Sequence, residues 1–349
     1  MNLQSKRTTQ KDIAKRAQLS VAAVSMALKN HPSLPSETID RVQSIAKELN
    51  YAPDPVLSAL VAHRNAMRSS KSFSAIGLVS NWAHPEEWTR LESAQEILRG
   101  IEDRAAELGY SIQRYCTHSD ETQWARVGNV MKTRGIRGLI LAPLEHNDDK
   151  FEIDCDSFSI VTIGTPAKYP YFHHVTQNQF ANVQLCWEKL RQRGYRRVGL
   201  VVREELANRW SHQWEAAHNY ERSQYGSIDD EVPTLYLKND DPLTRLREWM
   251  RKEKPDAVIC RCNRFFEAAS LEGICIPEDI GYLSLNVSDD APEASGIDQH
   301  REEMGAIAMD SLNGLLQRNQ RGAQRISTGT LVDGSWKEGK TLPSKLRAN

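Results

Sequence analysis

Apolar residues recur at helical spacing in three short stretches at the start of the chain. The pattern predicts a helix that Thr9 or Gln10 opens, a second helix from Val21 to Leu28 behind the N-cap Ser20, and a third helix from Pro35 to about Asn50. The residues expected to face inward are Ile13, Ala14, Ala17, Val24, Ala27, Leu28, Ile39, Val42, Ile45, Ala46 and Leu49.

Two short helices joined by three residues, with a third to bury them, follow the helix-turn-helix plan. The second helix of such a unit fits the major groove of DNA. Its outward residues are small and mostly apolar, so they suit thymine methyl groups and cannot form bidentate pairs with guanine or adenine. Lys11, Lys29 and the Ser and Thr hydroxyls are expected to hold phosphates. The alternative is a three-helix module that binds another protein.

The next segment carries two prolines and then becomes helical. Asp54 is a natural N-cap and Pro55 suits the first helical position of a helix over about 55–63. Such a short helix is unstable alone in water, so it needs DNA, its own copy or the rest of the chain as a partner. Leu60 is a candidate wedge for a minor groove, and the alternative is that Leu57 and Leu60 pack on the body.

Beyond residue 71, short apolar runs alternate with amphipathic stretches. The predicted strands are 75–79, 111–115, 138–142, 159–163, 198–202, 234–237, 257–260, 281–285 and 328–332. The predicted helices are 91–108, 121–134, 180–193, 209–224, 242–253, 265–273 and 302–317. This alternation predicts an α/β body of parallel sheets with helices on both faces. The length favours two lobes, with a ligand between them at the carboxyl ends of the strands.

Charge is divided unevenly along the 349 residues, although the net charge is only −1. Residues 1–71 hold eleven Lys and Arg against five Asp and Glu, and the remainder holds 34 against 41. A basic head on an acidic body suggests that the head meets a polyanion, although a solvated basic tail is the simpler reading of charge alone.

The overall composition is typical of a globular protein in the cytoplasm. Hydrophobic residues make up 40% and charged residues 26% of the chain. No run approaches the ~18 apolar residues of a membrane span, and the first residues lack the apolar stretch of a secretory signal. The six cysteines show no framework spacing and are expected to be reduced.

The body lacks the motifs of common enzymes. No Gly-rich phosphate loop follows a strand, and Ser159, Ser284 and Ser288 lie outside any nucleophile-elbow context. Cys260 and Cys262 have no second ligand pair at zinc spacing. We therefore expect no catalytic residues, no metal and no cofactor.

The head resembles the LacI/GalR family of bacterial transcriptional regulators. The resemblance rests on Lys11-Asp-Ile-Ala-Lys-Arg-Ala-Gln-Leu-Ser-Val-Ala-Ala-Val-Ser and Glu48-Leu-Asn-Tyr-Ala-Pro, and it covers nearly all of residues 8–62. It implies a homodimer whose recognition helices read the two half-sites of a near-palindromic operator, while paired hinge helices widen the minor groove. Val21 and Ala22 match the main base-reading positions, and Leu60 matches the inserted leucine.

The residues expected to contact DNA are Thr9, Gln10, Ser20, Val21, Ala22, Ala23, Ser25, Met26, Lys29, Tyr51 and Leu60. Met26 occupies a position that varies in the family, and it cannot bind a guanine edge through charge-assisted hydrogen bonds.

The body resembles the periplasmic-binding-protein-like part of the same family, through 190–199 and 276–281. This implies two lobes, three crossovers and an effector in the cleft. The residues that match effector-binding positions or follow the relevant strands are Trp82, Gln177, Arg209, Asn263, Asn286 and Gln299. The implied domains are a helix-turn-helix domain at 1–52, a hinge helix and linker at 53–71, and a two-lobed effector-binding and dimerisation domain at 72–349.

Two positions depart from the family. Gln177 and Asn286 are amides where sugar-binding members commonly have aspartate, and an amide cannot form a charge-assisted bond through a carboxylate. The ligand is therefore expected to be a saccharide or sugar derivative, a sugar acid held by Arg209, another compound, or none. Whether it releases or recruits DNA stays open.

The sequence thus predicts a DNA-binding repressor controlled by a small molecule. One rival is a cytosolic ligand carrier or sensor whose head binds another protein. The other is a sugar-active enzyme, which needs a paired acid and base in the cleft, and the amides at Gln177 and Asn286 disfavour it.

Overall fold

The structure is a computed structural model of the chain. It describes residues 8–28, 30, 34–49, 51, 74–82, 88–117, 121–143, 153–165, 170–225, 231–262, 264–287 and 293–346. Lys29, Asn263 and the predicted hinge segment with Leu60 lie outside these residues.

The head consists of α1 (Gln10–Ala17), α2 (Val21–Ala27) and α3 (Ser36–Glu48). The Ser20 Oγ accepts a hydrogen bond from the Ala23 backbone N–H at 3.1 Å, so Ser20 caps α2 as predicted. Val24 and Ala27 are fully buried against α1 and α3. Pro35 is the N-cap residue of α3 rather than part of its first turn, because its ψ of 142° is extended.

The body has two lobes, each built on a sheet. The strands of the first sheet lie in the order β11-β5-β4-β3-β1-β2 and are all parallel. They are β1 (Ser74–Ser80), β2 (Tyr110–Cys116), β3 (Gly138–Leu141), β4 (Ser159–Ile163), β5 (His173–Gln177) and β11 (Gly329–Val332). The helices of this lobe are α4 (Glu92–Glu107), α5 (Glu121–Thr133) and α11 (Arg301–Arg318).

The second sheet has the order β12-β10-β9-β8-β6-β7, and β12 is antiparallel to β10. Its strands are β6 (Val198–Arg203), β7 (Leu235–Leu237), β8 (Ala257–Cys260), β9 (Gly281–Ser284), β10 (Ser295–Asp298) and β12 (Ser335–Lys337). Its helices are α6 (Gln179–Gln192), α7 (Glu204–Arg209), α8 (Gln213–Tyr225), α9 (Leu243–Glu253) and α10 (Arg264–Leu271).

The described chain passes between the lobes after β5, after β10 and after β11. These passages are tied together by side chains. Asn178 donates from Nδ2 to Asp333 at 2.8 Å, and the Gly334 backbone N–H donates to Asn182 Oδ1 at 3.0 Å. The passages after β5 and after β11 therefore form a hinge between the lobes, and the two sheets with three passages confirm the two-lobed α/β fold.

One predicted helix, over 209–224, is wrong in its extent. The structure has two helices there, α7 and α8, because Ser211 and His212 adopt φ values of 50° and 58° and break the helical path. The strands β5, β10 and β12 were not among the predicted elements. They are three to five residues long, and their polar residues hide the apolar pattern.

Helices α4 and α11 cross in direct backbone contact. A Cβ at Gly100 would lie 1.8 Å from the Glu302 carbonyl oxygen, and a Cβ at Gly305 would lie 2.3 Å from the Ile97 carbonyl oxygen. Only glycine permits this approach, which seals the apolar core of the first lobe.

We predict that Gly305→Ala lowers the free energy of unfolding by about 1–3 kcal/mol, because the added methyl group forces the two backbones apart. Gly314→Ala in the same helix is the matched control, since its Cβ would meet only the flexible Arg318 guanidinium, at 3.2 Å. Urea unfolding followed by circular dichroism measures both. Equal midpoints for the two variants would contradict the close crossing.

Candidate functional site

Helix α2 presents an apolar edge to solvent. Val21 is 41% exposed and Ala22 is exposed, whereas Ala23, Ser25 and Met26 are half-buried. No residue of α2 is charged. This edge suits van der Waals contact with base methyl groups, and it offers no bidentate hydrogen bonds.

The polar residues around this edge have different roles. The Thr9 backbone N–H and hydroxyl both donate to the Asp12 carboxylate, at 2.8 and 2.7 Å, so Thr9 holds the start of α1. The Ser20 Oγ accepts from the backbone, which leaves its own hydrogen free to donate. Gln10 is half-buried, and Tyr51 packs on the head core.

A cleft lies where the carboxyl ends of the two sheets meet. The Thr165 hydroxyl, just after β4, donates across it to the Arg209 carbonyl oxygen at 2.7 Å. Gln177 ends β5 and Gln299 follows β10, so both stand where the chain passes between the lobes. Gln177, Arg209 and Gln299 thus all lie at the carboxyl-end side of the sheets, and their role in binding a ligand stays a prediction.

Gln177 anchors a polar chain on the cleft floor. It is 8% exposed, and its Oε1 accepts from Gln179 Nε2 at 3.3 Å. Gln179 in turn accepts from the Trp214 indole at 2.7 Å. The Gln177 Nε2 group is buried and has no hydrogen-bond partner among the described residues. A buried amide donor of this kind is costly unless a ligand or water accepts from it.

Aromatic rings flank this chain. The Trp210 and Trp214 rings lie 4.2 Å apart, and the Arg261 guanidinium lies 5.8 Å from the Trp210 ring centre. Trp210 follows Arg209 directly and is half-buried. Aromatic rings beside amides can bind a ligand that has both apolar faces and hydroxyl groups.

Two other predicted effector residues, Gln299 and Trp82, form hydrogen bonds within the fold. Gln299 is buried, donates to the Leu285 carbonyl oxygen at 2.6 Å and accepts from Arg301 at 2.7 Å. Trp82 is half-buried, and its indole donates to the Pro143 carbonyl oxygen at 2.9 Å. Asn286 is fully buried after β9. Gln299 therefore braces the cleft floor.

A cysteine pair at the end of β8 was not predicted as a functional feature. Cys260 is buried and Cys262 is half-buried. The Cys260 thiol, the Arg264 backbone N–H and the charges of Arg203 and Arg264 together lower the pKa of Cys262 to about 6, although burial opposes this.

The charges near Cys262 are not neutralised by their hydrogen-bond partners. Arg203 donates to the Asn239 amide oxygen at 3.3 Å, and Arg264 donates to the Asp241 carbonyl oxygen at 2.9 Å. Both acceptors are uncharged, so these two hydrogen bonds leave the guanidinium charges available to stabilise the thiolate form of Cys262. The sequence signal was the succession Arg-Cys-Asn-Arg after a buried strand.

We predict that Cys262 reacts with iodoacetamide at a rate that rises with pH to a midpoint near 6, because only the thiolate reacts. Burial raises the pKa of Cys155 to about 11, so Cys155 should stay unlabelled at pH 7. Peptide mass spectrometry in a Cys275→Ser background measures both sites. Arg264→Gln should move the midpoint upward, and a midpoint above pH 8 in the unsubstituted site would refute the assignment.

The described residues contain neither a membrane-spanning helix nor a metal-binding cluster. No helix there is long and apolar enough to span a membrane. No three His, Cys, Asp or Glu side chains gather there as a metal site would require.

Known protein families match both the head and the body of the chain. Residues 9–54 match the family model of bacterial regulatory proteins of the lacI family, and residues 187–335 match the periplasmic binding protein-like domain. Catabolite control protein A of Staphylococcus epidermidis is 23% identical over 85% of this chain and 89% of its own length. The transcriptional repressor PurR of Haemophilus influenzae is 22% identical over 91% of this chain and 94% of its own.

Solved structures share the fold. A transcriptional regulator CelR–cellobiose complex has a TM-score of 0.59 and 16% identity, and covers 96% of this chain and 100% of its own. A lac repressor dimer bound to operator and the anti-inducer ONPF has a TM-score of 0.57 and 19% identity, with 97% and 100% covered. The helix-turn-helix head, the two-lobed body and these similarities together show that the chain belongs to the LacI/GalR family of bacterial DNA-binding transcriptional regulators.

Proposed function

We propose that this chain is a cytoplasmic repressor that binds a near-palindromic operator as a homodimer and releases or tightens its hold when a saccharide or sugar derivative binds between the lobes. The observation that carries the proposal is the uncharged, solvent-facing edge of α2 on an otherwise basic head. Such an edge is suited to reading thymine methyl groups while neighbouring cations hold phosphates.

Dimerisation follows from the geometry of DNA reading. A single three-helix head contacts one half-site, and two heads on a symmetric dimer reach half-sites about 34 Å apart. The lac repressor structure that shares this fold is a dimer on its operator. Residues 1–52 are the reading domain in this proposal, 53–71 the hinge, and 72–349 the part that dimerises and binds the effector.

The chemistry of the cleft supports a neutral polyhydroxy ligand. The Gln177 Nε2 donor needs an acceptor, and the half-buried Trp210, which packs on the buried Trp214, offers an apolar face. Sugar hydroxyls accept from amides, and sugar rings stack on indoles. Two structures with this fold hold cellobiose and D-xylulofuranose. Arg209, whose carbonyl oxygen accepts from Thr165 across the cleft, would supply the cation for a carboxylate if the ligand is a sugar acid.

The hinge between the lobes gives a route for coupling. A ligand that contacts both Gln177 and the Arg209–Trp210 segment favours a closed cleft, and closure rotates one lobe relative to the other at the Asn178–Asp333 hinge. The first lobe, which carries the head, then moves relative to the first lobe of the partner protomer. The expected coupling free energy is about 1–3 kcal/mol.

We predict that Val21→Ala weakens binding to the preferred operator about tenfold and leaves binding to random DNA almost unchanged. The substitution removes two methyl groups that would be buried at a base edge, at about 0.8 kcal/mol each. Val130→Ala, at a residue that is 39% exposed on α5, is the matched control. Fluorescence anisotropy at fixed salt measures both duplexes.

An equal loss on operator and random DNA would show that α2 does not read bases. A protein with no salt-dependent affinity for any duplex would favour the rival, a ligand carrier whose head binds another protein.

We predict that Gln177→Leu raises the Kd of the bound saccharide roughly tenfold, since one hydrogen bond to a buried donor contributes about 1–1.5 kcal/mol. The ligand is found first by calorimetry with a panel of aldoses, disaccharides and aldonic acids. Gln192→Leu, at an exposed position on α6, is the control. Failure of every compound in the panel to bind would contradict the saccharide assignment.

A further inference from the structure

The polarity of the first sheet fixes which edge of the body lies nearest the head. β1 begins at Ser74, directly after the segment 52–73 that joins head to body. All strands of this sheet are parallel to β1, so their first residues share its starting edge. We call this the head-proximal edge. The cleft lies at the opposite edge, where the strands end.

Arginines collect on the head-proximal edge. Arg137 directly precedes β3. Helix α11 ends at Arg318, on the same edge. Its position is shown by Gln320, whose carbonyl oxygen accepts from the Ser159 hydroxyl, at the start of β4, at 2.7 Å. The chain then runs along the edge through Arg321 and Arg325.

Two hydrogen bonds fix this last segment. The Gln324 backbone N–H donates to the Tyr171 carbonyl oxygen at 2.8 Å, and the Ser327 hydroxyl donates to the Phe172 carbonyl oxygen at 2.5 Å. Both acceptors precede the first residue of β5. Arg325, which lies between these anchors, is therefore held at the edge and is exposed.

The four arginines form no ion pair with a carboxylate among the described residues. Burial, and then the nearby charge of Arg137, lowers the pKa of Arg321. Two guanidinium groups thus lie close enough to repel each other. Burial and the charge of Arg318 likewise lower the pKa of His173. An anion placed at this edge would relieve the repulsion between Arg137 and Arg321.

The acidic residues of this edge neutralise it only in part: the Asp156 carboxylate lies beside Gly322, where a Cβ would be 2.8 Å from its Oδ1, and so faces the neighbouring Arg321. Asp154 and Asp156 lie on the turn before β4, and the Asp154 carboxylate is already paired with Lys132. The remaining surface is positive, although the body as a whole is acidic.

The head lies against this edge in the structure. Asn319 donates from Nδ2 to the Asn30 carbonyl oxygen, just after α2, at 2.6 Å. The same Asn319 accepts from Arg321 Nε at 3.1 Å. The arginines of the head-proximal edge and the C-terminal end of α2 therefore lie on the same side of the molecule.

We propose that the head-proximal edge is a second DNA-binding surface, on which Arg137, Arg318, Arg321 and Arg325 bind backbone phosphates that flank each half-site. The inference rests on the proposed function, because it takes operator DNA as the polyanion. Guanidinium groups on a surface with uncompensated charge match phosphates in both charge and geometry. These contacts add affinity without reading sequence.

The test compares two double variants that change the net charge equally. Arg137→Ala with Arg325→Ala removes two exposed cations from the edge. Arg196→Ala with Lys337→Ala removes two exposed cations from the second lobe, away from the edge. Anisotropy is measured from 50 to 300 mM salt on an operator limited to the half-sites and on one extended by about ten base pairs on each side.

On the extended duplex, the edge variant should bind several-fold more weakly than the unsubstituted protein, for operator and random sequence alike. Its slope of log K against log salt should be shallower by about one for each removed contact. The control variant should keep the slope of the unsubstituted protein. On the short duplex the edge variant and the control should bind alike.

Equal slopes for the edge and control variants on the extended duplex would overturn the proposal, as would the same loss on both duplex lengths. These results leave the proposed function standing if the unsubstituted protein still prefers its operator. Failure of the unsubstituted protein to prefer any sequence would count against the proposed function itself.

Discussion

Parallel strand direction in the first sheet is the constraint on which the organisation of this protein depends. Every strand of that sheet starts at the edge that receives the chain from the head and ends at the edge that faces the second lobe. Parallel sheets need helices on both faces, so neither face is available for binding, and the two edges carry the candidate sites. The proposed DNA-binding side and the candidate ligand cleft are thereby separated by the length of one strand.

The cleft edge shows how a binding site is assembled from groups that the fold leaves unsatisfied. The Gln299 amide is bonded at both ends, since its Nε2 donates to the Leu285 carbonyl oxygen and its Oε1 accepts from Arg301. It therefore stabilises the cleft floor. In Gln177 only the Oε1 atom forms a hydrogen bond, and the Nε2 donor is buried without a partner among the described residues. The difference between these two glutamines lies in one acceptor, the Leu285 carbonyl oxygen, which comes from the segment after β9 and bonds to Gln299.

The head and most of the body were predictable from sequence because their signals are local. Helical spacing placed Val24 and Ala27 inward, and Ser20 marked the start of α2. The break between α7 and α8 was not predictable, since it depends on two non-glycine residues with positive φ, Ser211 and His212. The perturbed Cys262 was missed in part for a related reason: its largest cause, the Cys260 thiol, is local, but the charge of Arg203 comes from β6, and spacing along the chain does not show it.

Selection of operator sequence from random DNA by the full-length protein is the measurement that tests the account most directly. Duplexes are recovered over several rounds at physiological salt, and the enriched sequence is compared with scrambled DNA by anisotropy. The account predicts a near-palindrome with half-sites about one helical turn apart, bound at least about a thousandfold more tightly than scrambled DNA. Recovery of no common sequence, or equal affinity for the enriched and scrambled duplexes, would contradict it.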